Sequence, residues 1–424
     1  MTTAEQPTSS GQFTNSAGPD QPDHPTHPDI DLTGGPFYGN DPHPLFTWMR
    51  ANAPVYFDEH SGVWGITRYA DLKAISADPA TFSNAGGIRP DNGPLPMMID
   101  MDDPDHLRRR KLVNKGFTPR RVRDSEERIR LVCDSIIDAV CEQGSCDLVR
   151  DVAAPLPMIM IGDALGVAPE DRDDLLRWSD DMVSSLSGSA SSEEAIMRAM
   201  NAFMEYEAYS ARVIAERRAN PGAQDLMGIL VDAEVDGDRL DDLELLHESL
   251  LILVGGDETT RHVISGGMHQ LLLHPEQRDR LAAEPEVMAS AVEEMLRWVT
   301  PIRNMARTVT RDVTFGGQPL RVGQKLLLLY PSANRDEDVF DDPFRFDITR
   351  TPNDHVAFGF GTHFCMGASL ARLEISIMVE RLLARLPDLD VVGETPLRPA
   401  NFVSGYEQMP VTFTPTAKLG VSPV

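Results

Sequence analysis

The chain lacks an apolar run long enough to cross a bilayer. Its longest candidates, Leu250 to Val254 and Leu326 to Tyr330, hold five residues each, where a spanning helix needs about 20. It also lacks a basic-then-apolar leader at its start, so a soluble, cytoplasmic protein is expected. Positive charge is scarce, with 39 Lys and Arg against 66 Asp and Glu for a net charge of −27, which argues against nucleic acid or an anionic membrane surface as partner. Cysteine is scarce too: of four, Cys133, Cys141 and Cys146 fall on one helical stretch and its following loop with neither zinc spacing nor a disulfide framework, so reduced thiols are expected. There is no internal repeat. What is present is 424 residues of which 41% are hydrophobic, enough for a large core in one big domain or two.

The first 35 residues are rich in Pro, Gly, Ser, Thr and Asp without apolar period, and read as a mobile tail. A folded domain is expected over 36–415, with a short C-terminal tail at 416–424. Val55-Tyr56-Phe57 and Val63-Trp64-Gly65-Ile66-Thr67 flank a turn and predict a β-hairpin. Apolar residues at three- and four-residue spacing predict helices over 124–143, 169–187, 193–219, 240–273, 275–284 and 286–299. Strand-rich patches are expected over 308–330, with Gly316-Gly317 as a turn, and over 402–413. The fold class is mainly α with minor β, a helical domain plus a small β-rich subdomain.

Near the C-terminus, Phe358-Gly359-Phe360-Gly361-Thr362-His363-Phe364-Cys365-Met366-Gly367 wraps one cysteine in glycines and aromatics ahead of a helical stretch. A helix start stabilises a thiolate, and glycines let backbone amides turn toward the sulfur. Given the counts of Phe, Gly and Cys, the spacing Phe-x-x-Gly-x-x-x-Cys-x-Gly arises by accident in roughly one such chain per thousand. On these residues the chain resembles the cytochrome P450 superfamily. The resemblance implies the haem-thiolate fold, haem b as cofactor and Cys365 as the metal ligand, with Phe358 and Gly256 against the cofactor. The length leaves no room for a fused flavin reductase, so the electrons would come from a separate ferredoxin and ferredoxin reductase.

Leu253-Val254-Gly255-Gly256-Asp257-Glu258-Thr259-Thr260 interrupts the longest helical segment with two glycines, each costing about 1 kcal/mol relative to Ala. Such a sequence suits a helix that widens to admit a small ligand, leaving carbonyls and a threonine hydroxyl free, or close helix packing through the glycines. The resemblance makes this the distal groove, with Thr259 and Glu258 as the catalytic alcohol–acid pair; Asp257 adds a second acid that leaves the relaying carboxylate open. By the same resemblance Glu294, Arg297 and Arg345 form a structural triad behind the cysteine loop, and His106, Arg110, Arg307 and His363 are the partners of the haem carboxylates. Residues 106–123 carry eight Lys and Arg and no acid, and Arg108, Arg109, Lys111, Arg120 and Arg121 are docking candidates for an acidic ferredoxin.

The apolar, methionine-rich loop Asn84 to Asp100 falls where the resemblance places a roof over the haem, and suits a large greasy substrate. Arg89 is its one candidate carboxylate clamp. With Pro301-Ile302-Arg303-Asn304-Met305 and Arg398 to Gly405, this loop is similar to that of the mycobacterial steroid C26/C27-monooxygenases. That implies a monomeric, ferredoxin-fed monooxygenase acting on the terminal side-chain methyl of cholesterol or cholest-4-en-3-one with dioxygen, in sterol catabolism. Ile88, Met97, Met98, Val254, Val299, Met305 and Val403 are the expected substrate wall. Alternatives are a fatty-acid hydroxylase or peroxygenase of the same fold, and a haem sensor that turns nothing over.

Overall fold

The computed structural model describes residues 24–90, 92–184 and 192–421. Six helices frame the site: α1 (Asp105–Val113), α2 (Pro155–Leu165), α3 (Glu193–Ala219), α4 (Asp242–Leu273), α5 (Met288–Val299) and α6 (Ala368–Arg385). The 32-residue α4 starts from a capping box in which Asp241 and Glu244 satisfy each other's backbone amides. It runs through the centre, packed against α2, α5 and α6, and buries Val263, Ile264, Met268 and Leu271 in the largest core cluster.

The helices expected from periodicity are present at Glu126–Val140, Arg172–Ser184, Glu193–Ala219, Asp242–Leu273, Pro275–Ala283 and Met288–Val299; residues 185–187 of the second lie outside the described residues. Helix α2 was not expected. Its sequence, PLPMIMIGDAL, is apolar on nearly every face because the helix is enclosed, so there is no polar stripe to reveal a period.

A five-stranded sheet of β1 (Val55–Asp58), β2 (Val63–Ile66), β3 (Phe82–Ser83), β4 (Asn304–Val309) and β5 (Lys325–Leu329) has the spatial order β1-β2-β5-β4-β3. The pairing β2 with β5 is parallel and the others are antiparallel. Met305 and Arg307, two apart on β4, share one side of the sheet, and both reach the central cavity. Gly316 and Gly317 take left-handed φ values of 55° and 83° between the strands Val313–Phe315 and Gln318–Leu320, the turn read from the sequence. In the stretch 402–413 only Pro410–Thr412 forms a strand, paired with Ser145–Asp147 and Asp390–Val391.

Both expected tails are shorter than the composition implied. Ile30 and Leu32 are buried, and the Leu32 amide donates to Asp58 Oδ2 at 2.8 Å. Two apolar residues set no period, yet they anchor the segment. At the other end Thr416 donates to the Cys141 carbonyl, and the amides of Leu419 and Gly420 donate to Asp138 at 2.9 and 2.8 Å.

Candidate functional site

A cavity of about 1100 Å³ opens between α4, the cysteine loop, β4 and the 84–100 loop. The Cys365 amide donates to the Phe358 carbonyl at 2.9 Å, and left-handed Gly359 and Gly361 (φ 73° and 78°) fold the loop around it. Cys365 lies deep in the protein but is open to the cavity. Burial pushes its thiol up, while the amides of Gly367 and Ala368 at the start of α6 and the charges of Arg110 and Arg372 pull it down. A cationic metal would complete what these groups begin, since only the thiolate coordinates strongly.

Four basic side chains meet at one edge of this cavity. The rings of His106 and His363 stack at 4.0 Å, and Arg110 and Arg307 join them on the wall. Burial holds His363 down to about 3, helped by the charges of His106, Arg307 and Arg110, and burial also lowers Arg307 and Arg110. His106 Nδ1 bonds Asp103 at 3.0 Å, while its buried Nε2 has no partner among the described residues. Arg110 and Arg307 form no ion pair with a described acid, a costly arrangement for partly or fully buried guanidinium groups unless an anion joins them. The two carboxylates of a haem would fit that demand.

The glycine pair divides its work. A Cβ at Gly256 would collide with Ile161 of α2 at 2.2 Å, whereas at Gly255 it would meet nothing. Gly256 thus serves close packing and Gly255 leaves free space. The expected widening is absent: α4 is continuous, and the Thr259 hydroxyl, on the cavity wall, donates to the Gly255 carbonyl at 2.9 Å. Glu258 sits on another flank, off the cavity wall, bonded to Arg261 and lying 3.2 Å from Arg398 and 3.3 Å from His262. Burial opposes its ionisation, but His262 and the two arginines outweigh burial and hold the carboxyl well below the usual range. Asp257 accepts the Ser179 hydroxyl at 3.0 Å and is pushed up to about 7 by burial and by Glu258. The two acids therefore differ at neutral pH: Glu258 is a paired anion and Asp257 is partly protonated.

Residues 97–387 match the family model described as Cytochrome P450. The chain belongs to the cytochrome P450 family. It is 55% identical over 397 residues to a steroid C26-monooxygenase of Mycobacterium tuberculosis H37Rv, covering 93% of this chain and 99% of that protein. It is 54% identical to a steroid C26-monooxygenase of Mycolicibacterium smegmatis, covering 92% and 98%. Among solved structures it superposes on Mycobacterium marinum CYP268A2 in complex with pseudoionone with a TM-score of 0.84 at 35% identity, covering 92% of this chain and 99% of that one. The protein is accordingly a haem-thiolate monooxygenase that carries haem b and takes electrons from redox partners.

Elsewhere this P450 departs from the expected residues. Arg345 leaves its side chain in solvent and lends only its carbonyl to Arg297 and Arg350; Arg350 takes its place beside Glu294. Glu294 and Arg297 are fully buried and paired at 2.7 Å. Arg297 also donates to the Asn334 carbonyl, and Asn334 Oδ1 accepts the Val356 amide just ahead of the cysteine loop. Glu293, missed in the sequence, clamps Arg372 of α6 at 2.6 Å. Ile88, Met97, Met98, Val254, Met305 and Val403 line the cavity. Val299 does not; its side chain fills the space over Gly266 of α4. Buried Glu374, also missed, reaches the cavity wall and is pushed up to about 8 by burial.

The basic stretch divides as well. Arg108 is tied to Asp238 and Glu244, and Arg109 to Glu244 and Glu248, so the acids that neutralise them come from distant sequence. Lys111 and Arg120 are exposed, and half-exposed Arg121 donates to the Gln224 carbonyl.

Proposed function

We propose that this P450 hydroxylates the terminal side-chain methyl of a sterol such as cholesterol or cholest-4-en-3-one, fed by a ferredoxin and its reductase. A haem held by Cys365 would supply the dioxygen chemistry, and the electron-rich thiolate would favour O–O cleavage. The chain's own residues do the rest. Cys365 supplies the thiolate, its charge steadied by the α6 amides. Thr259 presents a hydroxyl at the cavity wall that can hold and pass a proton. Glu258 can supply that hydroxyl only by releasing Arg261 and Arg398, so proton entry is coupled to the opening of an ion pair.

A terminal methyl carries stronger C–H bonds than the chain carbons beside it, so selectivity has to come from shape. The observation that carries the reading is the cavity itself. At about 1100 Å³ it exceeds the roughly 300–1,000 Å³ of ordinary ligand sites, as a haem and a lipid held in line require. Its wall is apolar apart from the haem-edge cations and a few polar groups. Arg89, the one candidate clamp for a fatty-acid carboxylate, is already paired with Asp100 at 2.5 Å, which favours a neutral substrate. The name carried by the 55%-identical relative supports the sterol choice.

For the redox partner, α1 touches the cysteine loop through the bond from Arg110 to the Phe364 carbonyl, so exposed Lys111 and Arg120, the latter 3.6 Å from solvent-exposed Asp124, make the docking set with Arg121. A cytoplasmic location and a monomeric state belong to the same proposal; no described helix is long and apolar enough to cross a membrane. Titrating the holoenzyme with cholest-4-en-3-one and with palmitate, read by the Soret shift, tests the substrate. A shift with the sterol and a terminally hydroxylated product support the reading. No sterol shift, or ring hydroxylation, overturns it.

A further inference from the structure

We infer that Glu248 is a positioning residue that straps the cavity roof to α4, and that it thereby sets affinity for a bulky apolar substrate. Glu248 is fully buried. Its Oε1 accepts the Met98 amide at 2.8 Å and Arg109 Nη1 at 3.0 Å. The same Arg109 nitrogen donates to the Pro96 carbonyl at 2.7 Å, and Arg109 Nη2 lies 3.2 Å from Glu244. Residues 96 and 98 are thus held on either side of Met97, and both methionines face the cavity.

The rest of the roof shows why the strap matters. From Gly86 to Met97 the described residues have neither helix nor strand. Asp100 organises this loop internally, accepting the amides of Ile88 at 2.9 Å and Leu95 at 2.7 Å and the Arg89 guanidinium. Asp100 belongs to the roof itself, whereas Glu248 belongs to the central helix. A carboxylate buried at this position is costly: burial pushes it up to about 7 against the pull of Arg109, and Oε2 has no partner among the described residues. A leucine would pack there at no such cost. What the acid adds is a charge-assisted link joining α4, α1 and the roof.

The test uses the holoenzyme with two ligands of different size, so the inference rests on the sterol reading only for one probe. Glu248→Ala is expected to weaken cholest-4-en-3-one by about tenfold while imidazole, which needs only the iron, changes by about twofold or less. Hydrogen exchange at residues 96–98 is expected to rise in the same variant. Glu248→Gln, whose amide oxygen still accepts the Met98 amide, is expected to recover most of the affinity. Should Glu248→Ala fail to hold haem, Arg109→Met removes the other half of the strap and carries the same test. Unchanged exchange at 96–98, or equal loss of sterol and imidazole, overturns the inference. If the parent enzyme binds no sterol, the substrate reading fails while the exchange measurement still decides the strap.

Discussion

Arg350 Nε lies 3.2 and 3.4 Å from the two carboxylate oxygens of Glu294, closing a buried set that Arg297 begins from the same turn of α5. The network ends on the Val356 amide through Asn334, so it fixes the base of the cysteine loop. Arg350→Ala leaves Glu294 with one cation and is expected to cost about 1–3 kcal/mol. Arg345→Ala, a change to an exposed side chain, is expected to stay within about 0.5 kcal/mol. Thermal unfolding of the two holoenzymes decides between them, and equal losses would restore Arg345 to the set.

Cys365→Ala is expected to abolish the red-shifted absorption of the reduced carbonyl complex, because no other thiol opens into the cavity among the described residues. Burial pushes the thiols of Cys133 and Cys146 up, so serine at these two positions is expected to leave the band in place. Retention of the band without Cys365 would remove the assignment of the ligand.

Thr259→Ala takes away the hydroxyl on the cavity wall, while the Gly255 carbonyl keeps its backbone bond within continuous α4. Sterol binding and electron uptake are expected to persist while product per NADH falls about tenfold and peroxide accumulates. Coupling measured as product against NADH reads this directly; unchanged coupling would place the proton-bearing group elsewhere.

Asp257 carries a pH signature. Its carboxyl rises from 3.8 to about 7 on folding, chiefly through burial and then through the charge of Glu258, so between those values the folded chain holds the proton more tightly than the unfolded one. Stability from this group is complete below the lower value and is lost as pH climbs to the upper. Asp257→Asn cannot ionise and still accepts the Ser179 hydroxyl. It is expected to raise the unfolding temperature at pH 8 and barely change it at pH 4; a uniform shift at both would refute the elevated value.

Reversing Lys111 and Arg120 to Glu is expected to slow reduction by ferredoxin at low salt, with the difference shrinking as salt screens the charges, and to leave sterol affinity alone. Arg109→Glu is expected to weaken sterol binding as well, because its charge is spent on Glu248. Stopped-flow reduction and Soret titration of the same variants separate the two effects.

The helical frame was legible wherever a helix had a wet side. The stretch 193–219 matches α3 end to end because its polar face gives the apolar residues a period, while enclosed α2 offered none. The cysteine loop was legible because the chemistry demands particular side chains at short spacing, whereas His106, Arg110, Arg307 and His363, drawn from three separate stretches of the chain, were named only through the family resemblance. Arg350 and Glu248 were not. Each acts through a partner more than fifty residues away, and a lone arginine or glutamate on an exposed-looking stretch gives no hint of the carboxylate or amide that folding brings to it. The ion pairs of Arg108 and Arg109 were hidden in the same way, since the local absence of acids said nothing of Asp238, Glu244 and Glu248.

Glu248 and Thr259 stand eleven residues apart on unbroken α4, three turns that return to nearly the same side of the rod about 16 Å further along its axis. Glu248 bonds the roof at one mark and the Thr259 hydroxyl meets the cavity wall at the other, so the distance along α4 is expected to bear on the ligand length the cavity accepts. A single residue inserted between the two marks would rotate one against the other by about 100°. The spacing is therefore expected to tolerate substitution far better than insertion or deletion.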